Sequence, residues 1–242
     1  MALGSIGSNA APAVPALLRH YERLRGDDKF AQRSLLVITL GRIGPGASQA
    51  VPLLKDLTKR DYERLDAVCA LWRIDPQFAQ NAINIAVEEL RFWKLNAIAL
   101  LGEIGPPAKS RLPLLLEKLN SPPNNDQILF NLAWAVWRID PAQKQRILPV
   151  FERFRTSEGR YPCVELPVAA AGALWHVEPE RREELRPAVI AMLKEWQKVP
   201  SSRIGWAEMK PLQPALEGIR DDPKLGELHP WAVLALRQVN RR

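Results

Sequence analysis

Three short stretches of the chain place a Trp beside a basic residue and just before an acidic one, a combination that can do chemistry. They read ALWRID (70–75), AVWRID (135–140) and ALWHVE (173–178). A Trp face can hold an aromatic ligand by stacking, and Arg, His and carboxylate groups can bind ions or move protons. The same composition also occurs in a structural unit that recurs along a chain. What lies between these stretches decides between the two interpretations.

Related stretches without Trp occur between and around them, which favours the structural interpretation. They read ALGSIG (2–7), TLGRIG (39–44), LLGEIG (100–105) and ALEGIR (215–220). Aligned together, the stretches share anchor positions spaced 30 to 42 residues apart: Ile6, Ile43, Ile74, Ile104, Ile139, Val177 and Ile219. A second anchor, Pro, follows most of them after nine to eleven residues: Pro15, Pro52, Pro113, Pro149, Pro187 and Pro230. Two linked anchors predict seven repeated units.

Each unit predicts two helices, A and B. In the second repeat unit (26–59) Leu36, Leu40 and Ile43 recur at the spacing of one helix face. Helix A is expected to end at a Gly, which tolerates a positive φ, or at an Asp-Pro pair, in which Asp caps the next helix. The recurrent Pro falls early in helix B, where we expect it to remove one backbone hydrogen bond and kink the helix. No alternating strand pattern appears, so the predicted fold class is all-α.

The stretches TLGRIGPGASQAVPLLKDL and LLGEIGPPAKSRLPLLLEKL resemble HEAT repeats, specifically the short HEAT-like type of the phycobilisome lyases. The resemblance covers essentially the whole chain. It implies a right-handed α-solenoid of about seven helix pairs, with the A helices on the convex face and the B helices on the concave face. We therefore predict one repeat domain, residues 1–242, with units at approximately 1–25, 26–59, 60–90, 91–120, 121–156, 157–198 and 199–242. The first unit holds only the tail of its helix A, so we expect the chain to be a fragment or to have lost upstream repeats.

Basic residues are the candidate partner-binding positions. Arg42, Arg73 and Arg138 each precede the anchor Ile, and His176 fills the same position of its unit. The B helices add further candidates, namely Arg19, Lys55, Lys118, Arg153 and Lys194. If the B helices line a concave groove, these cations favour an acidic or extended protein partner. The alternative is a mixed, solvated surface on which Arg stems cover neighbouring side chains.

The Trp residues of the signature are predicted to fill space between repeats. Trp72, Trp137 and Trp175 occupy the position that Gly4, Gly41 and Gly102 fill in other units. Such a large-for-small exchange at one position is typical of packing between units. A stacking platform for bases or an aromatic ligand is the alternative.

Catalytic and metal-binding patterns are not evident. The three His residues lie in different units, and the chain has no HExxH, no Gly-rich phosphate loop and no G-x-S-x-G. We predict no cofactor, no metal and no enzymatic activity. Two Cys residues and the lack of a long apolar run favour a cytoplasmic protein that does not insert into membranes.

The expected function is that of a non-catalytic scaffold that grips a protein partner on its curved surface. A net charge of +7 leaves nucleic acid open as a partner, although acids are scattered among the bases. One alternative is therefore a nucleic-acid-binding protein resembling the HEAT-like alkylpurine DNA glycosylases. A less favoured alternative, by analogy of fold, is a subunit resembling the phycobilin lyases.

Overall fold

The structure, a computed structural model, describes residues 7–24, 29–122, 124–156, 165–187, 190, 213–221 and 223–239. Within these ranges the chain forms helices and turns and no strand, which confirms the all-α class. The α-helices are α1 (Val14–Arg23), α2 (Phe30–Ile43), α3 (Val51–Leu57), α4 (Arg64–Ile74), α5 (Ala79–Glu89), α6 (Leu95–Ile104), α7 (Leu112–Asn120), α8 (Asp126–Ile139), α9 (Lys144–Arg155), α10 (Glu165–Val177), α11 (Gln213–Asp221) and α12 (His229–Val239). Among the described helices, none has the length and apolarity needed to cross a bilayer.

The predicted anchors mark the ends of the A helices. Helices α2, α4, α6, α8 and α10 end at Ile43, Ile74, Ile104, Ile139 and Val177. All five of these side chains are buried. In these five helices the repeat signature is therefore the last turn, as the apolar spacing predicts, whereas α11 runs to Asp221, two residues past its anchor Ile219.

Two kinds of corner turn an A helix into the segment that follows it. Gly44 has φ 72° and ψ −142°, and Gly105 has φ 70° and ψ −134°, a combination that is essentially restricted to glycine. At the other corners Asp75 accepts a hydrogen bond from the backbone N–H of Gln77 at 3.0 Å, and Asp140 accepts one from Ala142 at 3.3 Å. Both predicted ways of ending helix A are confirmed.

The recurrent Pro residues lie where their missing N–H costs little. Pro15, Pro52 and Pro113 are each the second residue of an α-helix, where backbone N–H groups have no partner within the helix. A short 3₁₀ segment precedes each of these helices, and in the segment Gly44–Ala50 the residue Ala47 departs from helical geometry. The predicted kink is thus a junction between a 3₁₀ segment and an α-helix. Pro149 differs, because it lies inside α9.

The chain forms two compact units, one of residues up to Leu112 and one from Pro113. The core of the first unit is aliphatic and includes Leu40, Leu54 and Leu71, which are fully buried. The core of the second unit contains an aromatic cluster. The ring centroid of Phe130 lies 5.4 Å from that of Phe151 and 6.3 Å from that of Phe154. The division into seven repeats and the single domain stay predictions. The expected tail of the first helix A (residues 1–6) and Lys194 lie outside the described residues.

The signature position that alternates between Gly and Trp is closely packed at Gly41, Trp137 and Trp175, while Trp72 is half-buried. A Cβ added at Gly41 on α2 would lie 2.8 Å from the Cα of Ala70 on α4, so this contact requires glycine. In the second unit Trp175 is only 8% exposed. The ring centroid of Trp137 lies 4.9 Å from that of Trp134 and 6.0 Å from that of His176 on α10. Trp137 therefore packs between the A helices α8 and α10, and Trp175 is buried with the Arg182 guanidinium over its ring.

Candidate interaction surface

The structure pairs one of the predicted partner-binding cations with the next repeat. Arg73 ends the α4 signature, and Glu103 occupies the same repeat position in α6. The Arg73 Nη2 atom donates to both carboxylate oxygens of Glu103, at 2.7 and 2.9 Å. Arg73 therefore joins two repeats, and its guanidinium is already engaged by a carboxylate of the same chain.

Arg42 and Arg138 occupy the same repeat position as Arg73 but have other surroundings. Arg42 is half-buried and Arg138 is exposed. His176 follows Arg138 in the next repeat, and its imidazole is half-buried beside Trp134 and Trp137. Burial lowers the pKa of His176, and the positive charges of Arg182 and Arg138 lower it further. At this position Arg73 pairs with an acid of the next repeat, whereas Arg138 lies near a histidine whose protonation it disfavours.

The candidate residues on the B helices also differ from one another. Lys55 lies 5.1 Å from the centroid of the Phe78 ring, a cation–π contact with the next repeat. Arg153 pairs with Asp126 at 3.0 Å and lies 5.4 Å from the Phe154 ring. Arg19 is exposed, Lys118 is half-buried, and Lys194 lies outside the described residues.

The most exposed large apolar side chains of the first unit lie elsewhere, at one end of the α4–α5 helix pair. Tyr62, two residues before α4, is 86% exposed, and Phe92, three residues after α5, is 66% exposed. Because α4 and α5 are successive helices joined by a short corner, the start of one and the end of the other meet. The ion pair between Arg64 and Glu88, at 2.6 Å, closes this end. We call Tyr62, Arg91, Phe92 and Lys94 the aromatic edge.

A buried polar cluster supports the Tyr62 side of the edge. Glu63 is only 4% exposed, and its Oε1 atom accepts hydrogen bonds from the Tyr21 hydroxyl at 2.8 Å and from Arg33 Nε at 2.9 Å. Arg33 also donates to the carbonyl of Leu24 at 3.4 Å. The loop before α4 is therefore held to α1 and α2. The Tyr62 ring is exposed to solvent and contacts Phe30 edge-to-face, with 6.2 Å between the ring centroids.

Two cations flank the Phe92 side of the edge. The Arg91 guanidinium carbon lies 5.6 Å from the Phe92 ring centroid, and Lys94 Nζ lies 5.8 Å from it. Lys94 is tied to the buried Glu89 at 2.5 Å. Exposed aromatic rings next to Arg are the composition of the energetically important centre of many protein interfaces.

Sequence reasoning missed the aromatic edge. Tyr62 and Phe92 lie 19 and 18 residues after the anchors Ile43 and Ile74, so each is among the first residues of the next predicted unit and precedes its helix A. No sequence signal marks them, because an aromatic residue between two helices is equally compatible with burial and with exposure.

Metal-binding chemistry finds no support in the described ranges, where no cluster of three or more His, Cys, Asp or Glu side chains could hold an ion. Comparison of the chain with protein-family models, curated proteins and solved structures finds no match.

Proposed function

We propose that the chain is a non-catalytic protein-interaction module built from HEAT-like repeats. The observation that carries the proposal is the aromatic edge, where Tyr62 and Phe92 expose most of their surface at one end of a helix pair. A partner that covers two rings of this size would remove apolar area from water, which favours binding. Their position on a braced end of two helices presents them in a fixed orientation, which lowers the entropic cost of binding.

The solenoid architecture belongs to the same proposal. Supporting observations are the A helices that end at equivalent anchors, the two recurrent corner types and the ion pair between Arg73 and Glu103 of successive repeats. Repeat proteins of this kind contact mainly their neighbouring repeats and leave a long surface for partners. The cytoplasmic location predicted from the sequence is a further part of the proposal.

Site-specific photo-cross-linking tests the interaction function. The photoreactive residue p-benzoylphenylalanine is placed at position 62 or 92 of the full chain in the cells that produce it. The control carries the same residue at position 35, where Leu35 is 41% exposed on α2. We expect protein adducts of discrete mass from positions 62 and 92 and none from position 35.

Two results would contradict the proposal. One is the absence of adducts from positions 62 and 92 in a protein whose helical circular dichroism is normal. The other is adducts that disappear on nuclease treatment, which would assign the edge to a nucleic acid.

A further inference from the structure

The turn that displays Phe92 has a strained backbone. Trp93 adopts φ 54° and ψ 33°, the left-handed conformation, and is the sole non-glycine residue with positive φ in the described part of the chain. Helices often end in this conformation, but the residue there is usually Gly, since a bulky side chain crowds its own carbonyl. A strained turn persists when its surroundings hold it, and such turns concentrate at functional sites.

The surroundings do hold this turn. The Trp93 N–H donates to the carbonyl of Leu90 at 3.0 Å, and the Lys94 carbonyl accepts from Ala97 at 3.0 Å. The Lys94 ammonium is bound to Glu89, which is 7% exposed. The exposed Phe92 ring thus sits on a braced turn between two helices.

One of the two cations beside the ring is open to a further partner. Arg91 Nε donates to the carbonyl of Glu88 at 2.9 Å, which fixes the side chain. In the described part of the chain no carboxylate pairs with Arg91, and its terminal nitrogens are not used in any hydrogen bond. A fixed guanidinium with free donors is suited to bidentate binding of a carboxylate.

We propose that the aromatic edge binds a protein segment in which an apolar side chain lies next to a carboxylate. The apolar side chain packs on Phe92, and the carboxylate pairs with Arg91. Tyr62 provides a second contact at the other side of the same helix end. This partner assignment rests on the proposed interaction function and specifies its chemistry.

The charges around the edge favour such a segment over a nucleic acid. The carboxylate of Glu88 is 45% exposed, that of Asp56 is 54% exposed, and Asp61 next to Tyr62 is exposed. A nucleic-acid backbone carries closely spaced phosphates and needs a continuous basic track. Glu88 and Asp56 are paired with Arg64 and Arg60, so acids and bases are interleaved in this part of the chain instead of forming such a track.

A phage-displayed library of random peptides, selected on the full chain, tests the partner chemistry. Selected peptides are synthesised and titrated against the wild type, Tyr62→Ala, Phe92→Ala and Arg91→Gln. Two variants serve as matched controls: Leu35→Ala removes an exposed apolar side chain, and Arg146→Gln removes an exposed cation outside the candidate set. Circular dichroism establishes that each variant is folded.

We expect the selected peptides to carry Asp or Glu beside an aromatic or aliphatic residue. Phe92→Ala and Arg91→Gln should each weaken their binding about tenfold, while the controls bind like the wild type. Exchange of the peptide's acid for its amide should weaken binding to the wild type and have little effect on Arg91→Gln.

The results separate a failure of the proposed partner chemistry from a failure of the proposed interaction function. Peptides that need Phe92 or Tyr62 but neither an acid nor Arg91 would overturn the partner chemistry and leave the interaction function standing. A selection that yields no peptide dependent on Tyr62 or Phe92 would overturn both. A single-stranded oligonucleotide that binds more tightly than the peptides and is lost in Arg91→Gln would assign the edge to nucleic acid.

Discussion

Arg73 and Glu103 occupy the same position in successive repeats, and their side chains form a bidentate ion pair across the boundary between those repeats. The ion pair brings these equivalent positions of α4 and α6 into contact. A row of Arg at this position would place like charges side by side. Glu103 instead places an acid beside Arg73, so the two side chains attract each other. The unit that departs from the Arg pattern is therefore the one that binds Arg73.

Removal of this pair should lower stability slightly. The Arg73 and Glu103 side chains are 29% and 44% exposed, so solvent screens their attraction. We expect a coupling free energy of about 0.2–1 kcal/mol from a double-mutant cycle of Arg73→Ala and Glu103→Ala, measured by urea unfolding. Added salt should reduce the coupling. A coupling of zero at low salt would show that the pair contributes nothing to the joining of these repeats.

Substitution of Gly41 by Ala should destabilise the protein, although Ala is the better helix former. The new Cβ would lie 2.8 Å from the Cα of Ala70, and a backbone atom cannot move aside as a flexible side chain can. We expect a net loss of about 1–2 kcal/mol in the free energy of unfolding, since overpacking outweighs a propensity gain of about 1 kcal/mol.

Gly218→Ala is the control, because it makes the same substitution at a helical glycine with an open side. Gly218 lies within α11, and a Cβ added there has no atom of the described residues within 4 Å. The variant should be as stable as the wild type or more stable, by up to about 1 kcal/mol. Equal effects of the two substitutions would contradict the close approach of α2 and α4.

The repeat pattern carries much of the fold because each anchor has a local physical cause. Gly44 and Asp75 end their helices through backbone geometry and a side-chain cap, both of which depend on nearby residues. Ile43 and Ile74 are buried because they lie on the apolar face of a helix. Such features are visible in sequence.

The repeat pattern did not predict the aromatic edge. Tyr62 and Phe92 are exposed because of how the loops before α4 and after α5 are held, by Tyr21, Glu63 and Lys94. Those contacts join residues up to 42 positions apart. No periodicity marks them, and a Tyr or Phe in a linker is equally compatible with burial. The pairing of Arg73 with Glu103 likewise depends on the spatial alignment of two repeats.

The Tyr21 hydroxyl should stabilise the protein through Glu63. Tyr21 is 6% exposed, and its hydroxyl is one of the donors to a buried carboxylate. Tyr21→Phe leaves Glu63 with fewer donors, so we expect a loss of about 1–2 kcal/mol in urea unfolding. Tyr62→Phe, at a side chain that is 86% exposed, should change stability by less than about 0.5 kcal/mol. Similar losses in the two variants would be evidence against the buried cluster.

The same hydroxyl should make stability depend on alkaline pH. Burial raises the pKa of Tyr21, and the hydrogen bond to Glu63 raises it further. A group with a raised pKa in the folded state stabilises it below the unfolded pKa, which is about 10 for Tyr, and this contribution is lost as pH rises above that value. The wild type should therefore lose more stability than Tyr21→Phe between about pH 9 and pH 11. Parallel pH curves for the two proteins would contradict the raised pKa.

Mild acid should destabilise the second unit through His176. Burial lowers the pKa of its imidazole, and the charges of Arg182 and Arg138 add to this effect. The unfolded chain, in which a His has a pKa of about 6.5, then binds protons more readily than the folded one, so stability falls as pH drops below that value. Between about pH 7.5 and pH 5.5 the wild type should lose more thermal stability than His176→Gln, and Arg138→Gln should lie between them. If His176→Gln loses as much as the wild type, protonation of His176 is not the source of the acid sensitivity.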